Sequence, residues 1–181
     1  MLVSFSTCMV DTSGNWQFPL GAEINPKFVK YNLIDHGFLL NLLGIGDSTN
    51  SIVKELLVDN AADLVDKGSL TEMVAGLELL KYMSPNERHD LYYWQNLTRG
   101  TVSEVDYVLS RGIDIVPMEV KSGLRGSMAS LYVFMEKEHI KYAIRCSLEN
   151  FGEFVSPKGK KILVNPLYAI SNLFSCGERL L

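Results

Sequence analysis

The chain has 181 residues, of which 47% are hydrophobic and 21% are charged, and its formal net charge is -4 at a pI near 5.4. This composition is typical of a globular protein with one good core or two small ones. The acidic balance argues against a broad basic surface for non-specific binding of nucleic acid.

The chain has no apolar run close to the about 20 residues of a membrane-spanning helix, so we expect no membrane association. Its first ten residues lack a positively charged start and are soon followed by Asp11, which does not indicate a signal peptide. Three widely spaced cysteines, Cys8, Cys146 and Cys176, form no Cys-x-x-Cys pair. They predict free thiols in a cytoplasmic protein and make a zinc site a poor interpretation.

In chain order, a short N-terminal hairpin is predicted first. Its strands are Leu2–Phe5 and Trp16–Phe18, on either side of the turn-rich stretch Asp11–Gly14. Two helices follow, over Asp35–Leu43 and Ser51–Leu64. The first of them stops at a glycine, as helices commonly do.

The second half of the chain predicts alternating helices and strands. A helix over Leu70–Tyr82 has Ser69 as its N-cap and Glu72 three residues later, which is the pattern of a capping box. The elements predicted after it are strands Leu91–Gln95, Val102–Leu109 and Ile115–Lys121, helix Ser127–Glu138, strands Tyr142–Cys146 and Lys161–Val164, and helix Pro166–Phe174. This order predicts an α/β fold with a mixed sheet flanked by helices.

The second and third of these strands alternate polar and apolar residues with a period of two, as half-buried strands do. They are joined by Arg111–Gly112, and glycine accepts the positive φ of a tight turn. We therefore predict a two-residue hairpin closed by Ser110 and Ile113.

In that register Glu104 lies opposite Glu119, and Asp106 lies opposite Pro117. The carboxylates and Lys121 then share one face of the sheet. The apolar partners fill the other face: Val105, Tyr107, Val116, Met118 and Val120. Like charges that face each other across a sheet cost up to about 1 kcal/mol, so three clustered carboxylates beside one lysine predict a compensating cation, as in a magnesium site. Because proline in a central strand often marks a bulge, a shifted register around Pro117 is an open alternative.

The order Asp106, then Glu119-Val120-Lys121 on the next strand, resembles the signature of the PD-(D/E)XK nuclease superfamily. More closely, the chain is similar to a C-terminal domain of unknown function in many prokaryotic AAA-type ATPases. The resemblance covers roughly residues 25 to 170 and is carried by five phrases in order: Pro26–Leu40, Gly68–Glu72, Leu91–Trp94, Ser103–Tyr107 and Val116–Gly123.

The resemblance implies a restriction-endonuclease-like αβββαβ core. It implies two parts of the chain, residues 1–58 as the hairpin and helices at the tail of a winged-helix-like segment, and residues 59–181 as the nuclease-like domain. The sequence has no Walker A motif. We therefore expect the ATPase domain, a partner of this domain, to lie upstream in the same parent protein.

The implied chemistry is hydrolysis of phosphodiester bonds in nucleic acid with Mg²⁺, or Mn²⁺. Asp106, Glu119 and Glu104 would be the metal ligands, since Mg²⁺ prefers oxygen donors and keeps several waters. Lys121 would act on the attacking water and offset developing negative charge. Glu72 has two interpretations, as part of its own capping box or as a catalytic residue on the acidic face. For the second, the resemblance implies two functional roles, as an additional metal ligand or as a residue that orients a metal-bound water.

Two functions therefore remain open at this point. One is a metal-dependent nuclease domain, and the other is a catalytically inactive module that regulates the ATPase or binds a partner. Lys158, Lys160 and Lys161 form the one tight basic cluster of the sequence. We interpret this cluster as a solvated loop in preference to a contact with nucleic acid.

Overall fold

The computed structural model describes residues 3–10, 20–22, 24–33, 35, 67–84, 86, 90–98, 101–123, 126–137 and 139–174. The predicted strand Trp16–Phe18, nearly all of the predicted helix Asp35–Leu43 and the predicted helix Ser51–Leu64 lie outside these residues. None of the helices in the described ranges has both the length and the apolarity needed to cross a bilayer.

The described residues form eight strands, two α-helices and one 3₁₀ helix. In chain order they are β1 (Val3–Val10), β2 (Ile24–Leu33), α1 (Lys67–Tyr82), β3 (Leu91–Thr98), β4 (Thr101–Arg111), β5 (Asp114–Val120), α2 (Ala129–Met135), β6 (Tyr142–Ser147), β7 (Gly152–Val155), β8 (Lys161–Pro166) and the 3₁₀ helix (Leu167–Phe174). The predicted α/β class is therefore confirmed. The last helix is a 3₁₀ helix that follows Pro166, whereas the sequence had predicted an ordinary terminal helix from that proline.

All eight strands belong to one mixed sheet, in the order β2-β1-β3-β4-β5-β6-β8-β7. The neighbours β1 and β3, β5 and β6, and β6 and β8 are parallel, and the remaining pairs are antiparallel. The chain passes from β5 to its parallel neighbour β6 through α2, which is the connection expected for parallel strands.

Buried apolar residues form two clusters, because neighbouring residues of a strand point to opposite faces. One cluster includes Leu131 and Phe134 of α2. The other includes Ala75 and Leu79 of α1 and Ile170 of the 3₁₀ helix. The sheet is thus covered by α2 on one face and by α1 with the 3₁₀ helix on the other.

The hairpin between β4 and β5 has a register two residues away from the predicted one. Arg111 pairs with Asp114 and Tyr107 pairs with Met118, so Gly112 and Ile113 form the turn. Gly112 has a φ of 59°, the left-handed conformation that favours glycine. A shift of two residues does not by itself move a side chain to the other face, but it corrects the predicted opposition of Glu104 and Glu119.

The bulge lies in β4 and not at Pro117. In β5, Pro117 pairs regularly with Val108 of β4. Against β3, Trp94 pairs with Val105 and Tyr92 pairs with Val108, so two residues of β4 face a single residue of β3. These two residues are Asp106 and Tyr107. The prediction that Val105 and Tyr107 share one buried face is consequently wrong, because each belongs to a different core cluster.

At the N-terminal side, β1 pairs antiparallel with β2 and parallel with β3. Residues 3–10 and 24–33 therefore lie in the same sheet as the strands from the later part of the chain. The proposed boundary between residues 1–58 and 59–181 stays a prediction.

The predicted capping box at α1 is wrong. The helix begins at Lys67, so Ser69 lies inside its first turn and is not its N-cap. The carboxylate of Glu72 pairs instead with Lys30.

A close approach at Gly76 sets the distance of α1 from the sheet. A Cβ there would lie 2.4 Å from the Tyr107 hydroxyl oxygen and 2.8 Å from Nδ2 of Asn32. We expect Gly76→Ala to reduce the free energy of unfolding by about 1–3 kcal/mol, because the overpacked methyl group must push these side chains or the helix aside. Urea unfolding with an unchanged m-value would measure this loss.

Gly68→Ala is the matched control, since a Cβ at Gly68 of the same helix meets nothing within 4 Å. It should stabilise the protein by up to about 1 kcal/mol through helix propensity alone. Equal effects of the two substitutions would contradict the close approach of α1 to Tyr107.

Candidate metal centre

Three carboxylates from α1 and β4 converge on one point above the sheet. One oxygen each from Glu72, Glu104 and Asp106 lies within 4.8 Å of the other two, and all three residues are half-buried. We refer to these three residues as the acidic cluster.

Tyr107 brings Glu72 to this position. Its hydroxyl donates a hydrogen bond to the backbone carbonyl oxygen of Glu72 at 2.7 Å and also bonds the side chain of Asn32. Because Tyr107 is buried and Gly76 has no side chain, α1 packs close to β4 at this point. Burial, followed by the nearby charge of Glu72, raises the pKa of Tyr107, so the hydroxyl stays protonated as a donor.

Lys30, on β2, is the cation that pairs with the acidic cluster. Its Nζ lies 2.7 Å from Oε1 of Glu72 and also bonds Oε1 of Glu104. The same ammonium lies 4.6 Å from the centre of the Tyr93 ring. Burial by itself lowers the pKa of Lys30, but the two carboxylates outweigh it and raise the pKa above its ordinary value.

Asp106 forms a hydrogen bond between β4 and β5 at the point where the pairing of these strands ends. Its Oδ2 accepts a hydrogen bond from the backbone N–H of Val120 at 2.7 Å. Burial raises the pKa of Asp106, and the charges of Glu119 and Glu72 raise it further, to about 8, against the lowering effects of the Val120 N–H and Lys30. The carboxyl group is therefore poised to bind either a proton or another cation near neutral pH.

Glu119 and Lys121 form the second part of the site. Nζ of Lys121 donates to Oε1 of Glu119 at 2.6 Å, and Glu119 is only 5% exposed. The other oxygen, Oε2, is buried and has no hydrogen-bond partner among the described residues. Burial raises the pKa of Glu119 against the opposing effect of Lys121, and the charges of Glu72 and Glu104 add to the rise.

Gly126 makes room for the side chain of Lys121. A Cβ at Gly126 would lie 2.8 Å from Cδ of this lysine. The backbone N–H of Lys121 donates to the carbonyl oxygen of Cys146 at 2.8 Å, which holds this residue beside β6.

The donor set suits a divalent cation such as Mg²⁺. Opposite ligands of an ion with bonds of about 2.1 Å are at most about 4.2 Å apart, so oxygens within 4.8 Å of one another need only a small adjustment to share one. The unpartnered oxygen of Glu119 is a further acceptor, and four carboxylates face the two lysines Lys30 and Lys121. With all four ionised, two negative charges remain to be offset.

Among the residues selected from the sequence, Glu72, Glu104 and Asp106 come together in the acidic cluster. Glu119 and Lys121 pair with each other and lie outside that set of three, although the charge of Glu119 acts on Asp106. The sequence analysis missed Lys30 and Tyr107. A lysine that lies 42 residues before Glu72 and 74 residues before Glu104 gives no local signal, and Tyr107 had been assigned to the core by alternation alone.

A family model described as "Domain of unknown function (DUF4143)" matches residues 67–170, more than half of the chain. The matched range includes the acidic cluster with Glu119 and Lys121, and it excludes Lys30. No curated protein and no solved structure matches the chain.

We expect the stability of the metal-free protein to fall as the pH rises from about 4 to 8. The folded state keeps the proton of Asp106 up to a pKa of about 8, whereas the unfolded chain loses it near 3.8. Between these values the unfolded state binds fewer protons, so the free energy of unfolding falls by up to about 1.4 kcal/mol per pH unit. Urea unfolding at a series of pH values measures this slope.

Asp106→Asn tests the assignment, because the amide oxygen can still accept the Val120 N–H while the charge is gone. The free energy of unfolding of Asp106→Asn should equal that of the wild type near pH 4 and exceed it toward pH 8. Asp106→Ala, which also loses the acceptor, should be less stable than Asp106→Asn throughout. Parallel pH profiles for the wild type and Asp106→Asn would contradict the raised pKa.

Proposed function

We propose, for this chain that belongs to the DUF4143 family of unknown function, a role as a divalent-cation-dependent nuclease domain that hydrolyses phosphodiester bonds. The observation that supports this most directly is the acidic cluster, with the buried and unpartnered oxygen of Glu119 next to Lys121. An ordinary solvated sheet face does not bury an unpaired carboxylate oxygen, because an unsatisfied buried acceptor costs about 1–3 kcal/mol or more.

The order of the elements supports the finer fold assignment in this proposal. The sequence α1, β3, β4, β5, α2, β6 corresponds to the αβββαβ core that the resemblance implies. The carboxylates come from β4, β5 and α1, near the place where the pairing of β4 with β5 stops at Tyr107 and Met118. Restriction-endonuclease-like is therefore our proposed fold, within the α/β class already described.

In this proposal Glu104, Asp106 and Glu72 hold Mg²⁺ or Mn²⁺, and Oε2 of Glu119 is a fourth donor. The ion would supply charge stabilisation at a phosphate oxygen and a lower pKa for a water molecule. Glu72 thereby takes the role of a ligand, one of the two functional roles open to it from the sequence.

Lys121 has the proton-transfer and charge-stabilising role. Its ammonium is held on Oε1 of Glu119, and its half-buried position keeps it close to the carboxylates without full exposure to solvent. A positioned ammonium can donate hydrogen bonds to a phosphate oxygen and offset the charge that develops there. The absence of a side chain at Gly126 leaves room for its aliphatic chain.

The proposed substrate is a nucleic acid. The surface charge indicates that another part of the parent protein supplies much of the affinity for it. Two lysines of the basic cluster are already paired with acids, Lys158 with Glu136 at 2.6 Å and Lys161 with Glu153 at 2.5 Å. With a net charge of -4, the chain offers little general attraction to phosphates. An ATPase domain upstream in the parent protein, as the resemblance implies, is our proposed source of that attraction.

A second function, a catalytically inactive module that regulates an ATPase or binds a partner, is favoured by one observation. Lys30 already pairs with two carboxylates of the acidic cluster. An internal lysine that offsets part of their charge reduces the need for a metal ion, so the carboxylates by themselves do not require catalysis.

A divalent cation should stabilise the protein if the first proposal is correct. At a hundredfold excess over the Kd, Mg²⁺ or Mn²⁺ should add about 2.7 kcal/mol to the free energy of unfolding, or roughly 5–10 °C in Tm for a chain of this size. Glu119→Gln should abolish most of this shift and slightly stabilise the metal-free protein, because it removes one of the mutually repelling charges. Thermal unfolding with and without Mn²⁺ measures both effects.

Glu153→Gln is the control, because it removes the same charge from an exposed pair at the far edge of the sheet. It should keep the full response to the metal. A wild type that shows no shift would remove the metal site from the proposal.

Cleavage of nucleic acid should depend on Lys121 more than binding does. Lys121→Gln still offers a donor to Glu119 but carries no charge, so we expect the cleavage rate to fall by about 10²-fold or more with a small change in Kd. The measurement is cleavage of single- and double-stranded DNA and RNA with Mg²⁺ or Mn²⁺, by the full-length parent protein as well as this chain.

Lys141→Gln is the matched control, since Lys141 makes an ion pair with Asp114 at the opposite end of β5. It should cleave like the wild type. If the wild type cleaves no substrate faster than Glu119→Ala does, the inactive module becomes the better conclusion.

A further inference from the structure

We propose that Lys30 competes with the divalent cation for its site. The Lys30 ammonium must leave Glu72 and Glu104 before the ion can bind there. This inference rests on the proposed metal site and concerns how that site is regulated. It assigns a function to an edge strand, β2, that lies outside the residues matched by the family model.

The competition follows from shared carboxylates. Nζ of Lys30 bonds Oε1 of Glu72 and Oε1 of Glu104, and these two residues supply two of the three oxygens in the acidic cluster. An ammonium and a divalent cation held by the same two carboxylates repel each other and compete for their lone pairs. We therefore expect the ion to displace Lys30.

An independent observation indicates that Lys30 is not the final occupant of the site. The two lysines satisfy Glu72, Glu104 and Oε1 of Glu119, but Oε2 of Glu119 is buried and has no partner among the described residues. Lys30 and Lys121 thus leave one acceptor unfilled in a region where burial makes this costly. A divalent cation at the acidic cluster that also bound Oε2 of Glu119 would fill this acceptor.

The ring of Tyr93 can hold the ammonium of Lys30 after it has been displaced. The ammonium lies 4.6 Å from the centre of the Tyr93 ring, so it can move away from the carboxylates and keep its contact with the aromatic face. The exchange then breaks two ion pairs that link β2 to α1 and β4. Metal binding is thereby coupled to the position of β2.

The first experiment compares Lys30→Met with Lys27→Met by titration calorimetry with Mn²⁺. Methionine keeps most of the length of the lysine side chain and removes its charge. Lys27 lies on the same strand and is exposed, so its variant has the same net charge without touching the acidic cluster. We expect Lys30→Met to bind Mn²⁺ about tenfold more tightly or better, because the ion no longer has to break two charge-assisted bonds. Lys27→Met should bind like the wild type.

The sign of the effect separates competition from a structural role. If Lys30 only held the fold together, its loss would loosen the carboxylates and weaken metal binding. Tighter binding by a variant that is itself less stable without metal is the expected result.

The second experiment needs no variant and so does not depend on how Lys30→Met folds. The wild type is treated with an amine-acylating reagent, with and without saturating Mn²⁺, and modification at each lysine is read by mass spectrometry. Acylation of Lys30 should rise severalfold when Mn²⁺ is present, because its ammonium has been released, whereas acylation of Lys27 should not change.

The outcomes distinguish this inference from the proposed function. If the wild type binds Mn²⁺ but Lys30→Met binds no more tightly and Lys30 is no more reactive with metal, the competition is overturned and the metal site stands. If neither protein binds Mn²⁺, both proposals are overturned. Binding by Lys30→Met together with weak or no binding by the wild type supports the competition most strongly.

Discussion

The arrangement of the site depends on the bulge in β4. Because Asp106 and Tyr107 together face a single residue of β3, the strand departs from strict alternation at this point. Tyr107 joins the core beneath α1 and anchors the backbone of Glu72, while Asp106 belongs to the acidic cluster and bonds the backbone of β5. Without the extra residue, α1 and β4 would not bring their carboxylates to one point.

Charge balance is the second constraint. Four carboxylates are held close enough to raise the pKa of Asp106 and Glu119, and burial is the largest cause of both shifts. Lys30 of β2 and Lys121, which directly follows β5, offset part of this cost. When no metal ion is bound, a proton or a lysine ammonium offsets part of the negative charge at such a site. The same arrangement therefore supports both a metal site and an inactive module whose carboxylates are paired with lysines.

Short-range sequence patterns predicted much of the fold. Period-two alternation located the hairpin of β4 and β5, and a turn glycine located its end, although the register was two residues away. The shared face predicted for Val116, Met118 and Val120 of β5 survived this error because side chains repeat every two residues along a strand, whereas Val105 of β4 belongs to the other core cluster. The capping box at Ser69 was wrong because Glu72 pairs with a distant lysine, a competing partner that no local rule contains.

The sequence by itself determined the α/β class, the core strands and the candidates Glu72, Glu104, Asp106, Glu119 and Lys121, since helices, strands and their polar faces follow from nearest neighbours along the chain. Only the tertiary structure decided that Lys30 pairs with Glu72 and Glu104 and that Asp106 binds the backbone of β5. The pairing of Lys30 joins residues 42 and 74 positions apart. Such contacts depend on strand order and on one bulge, and neither leaves a periodic trace in the sequence.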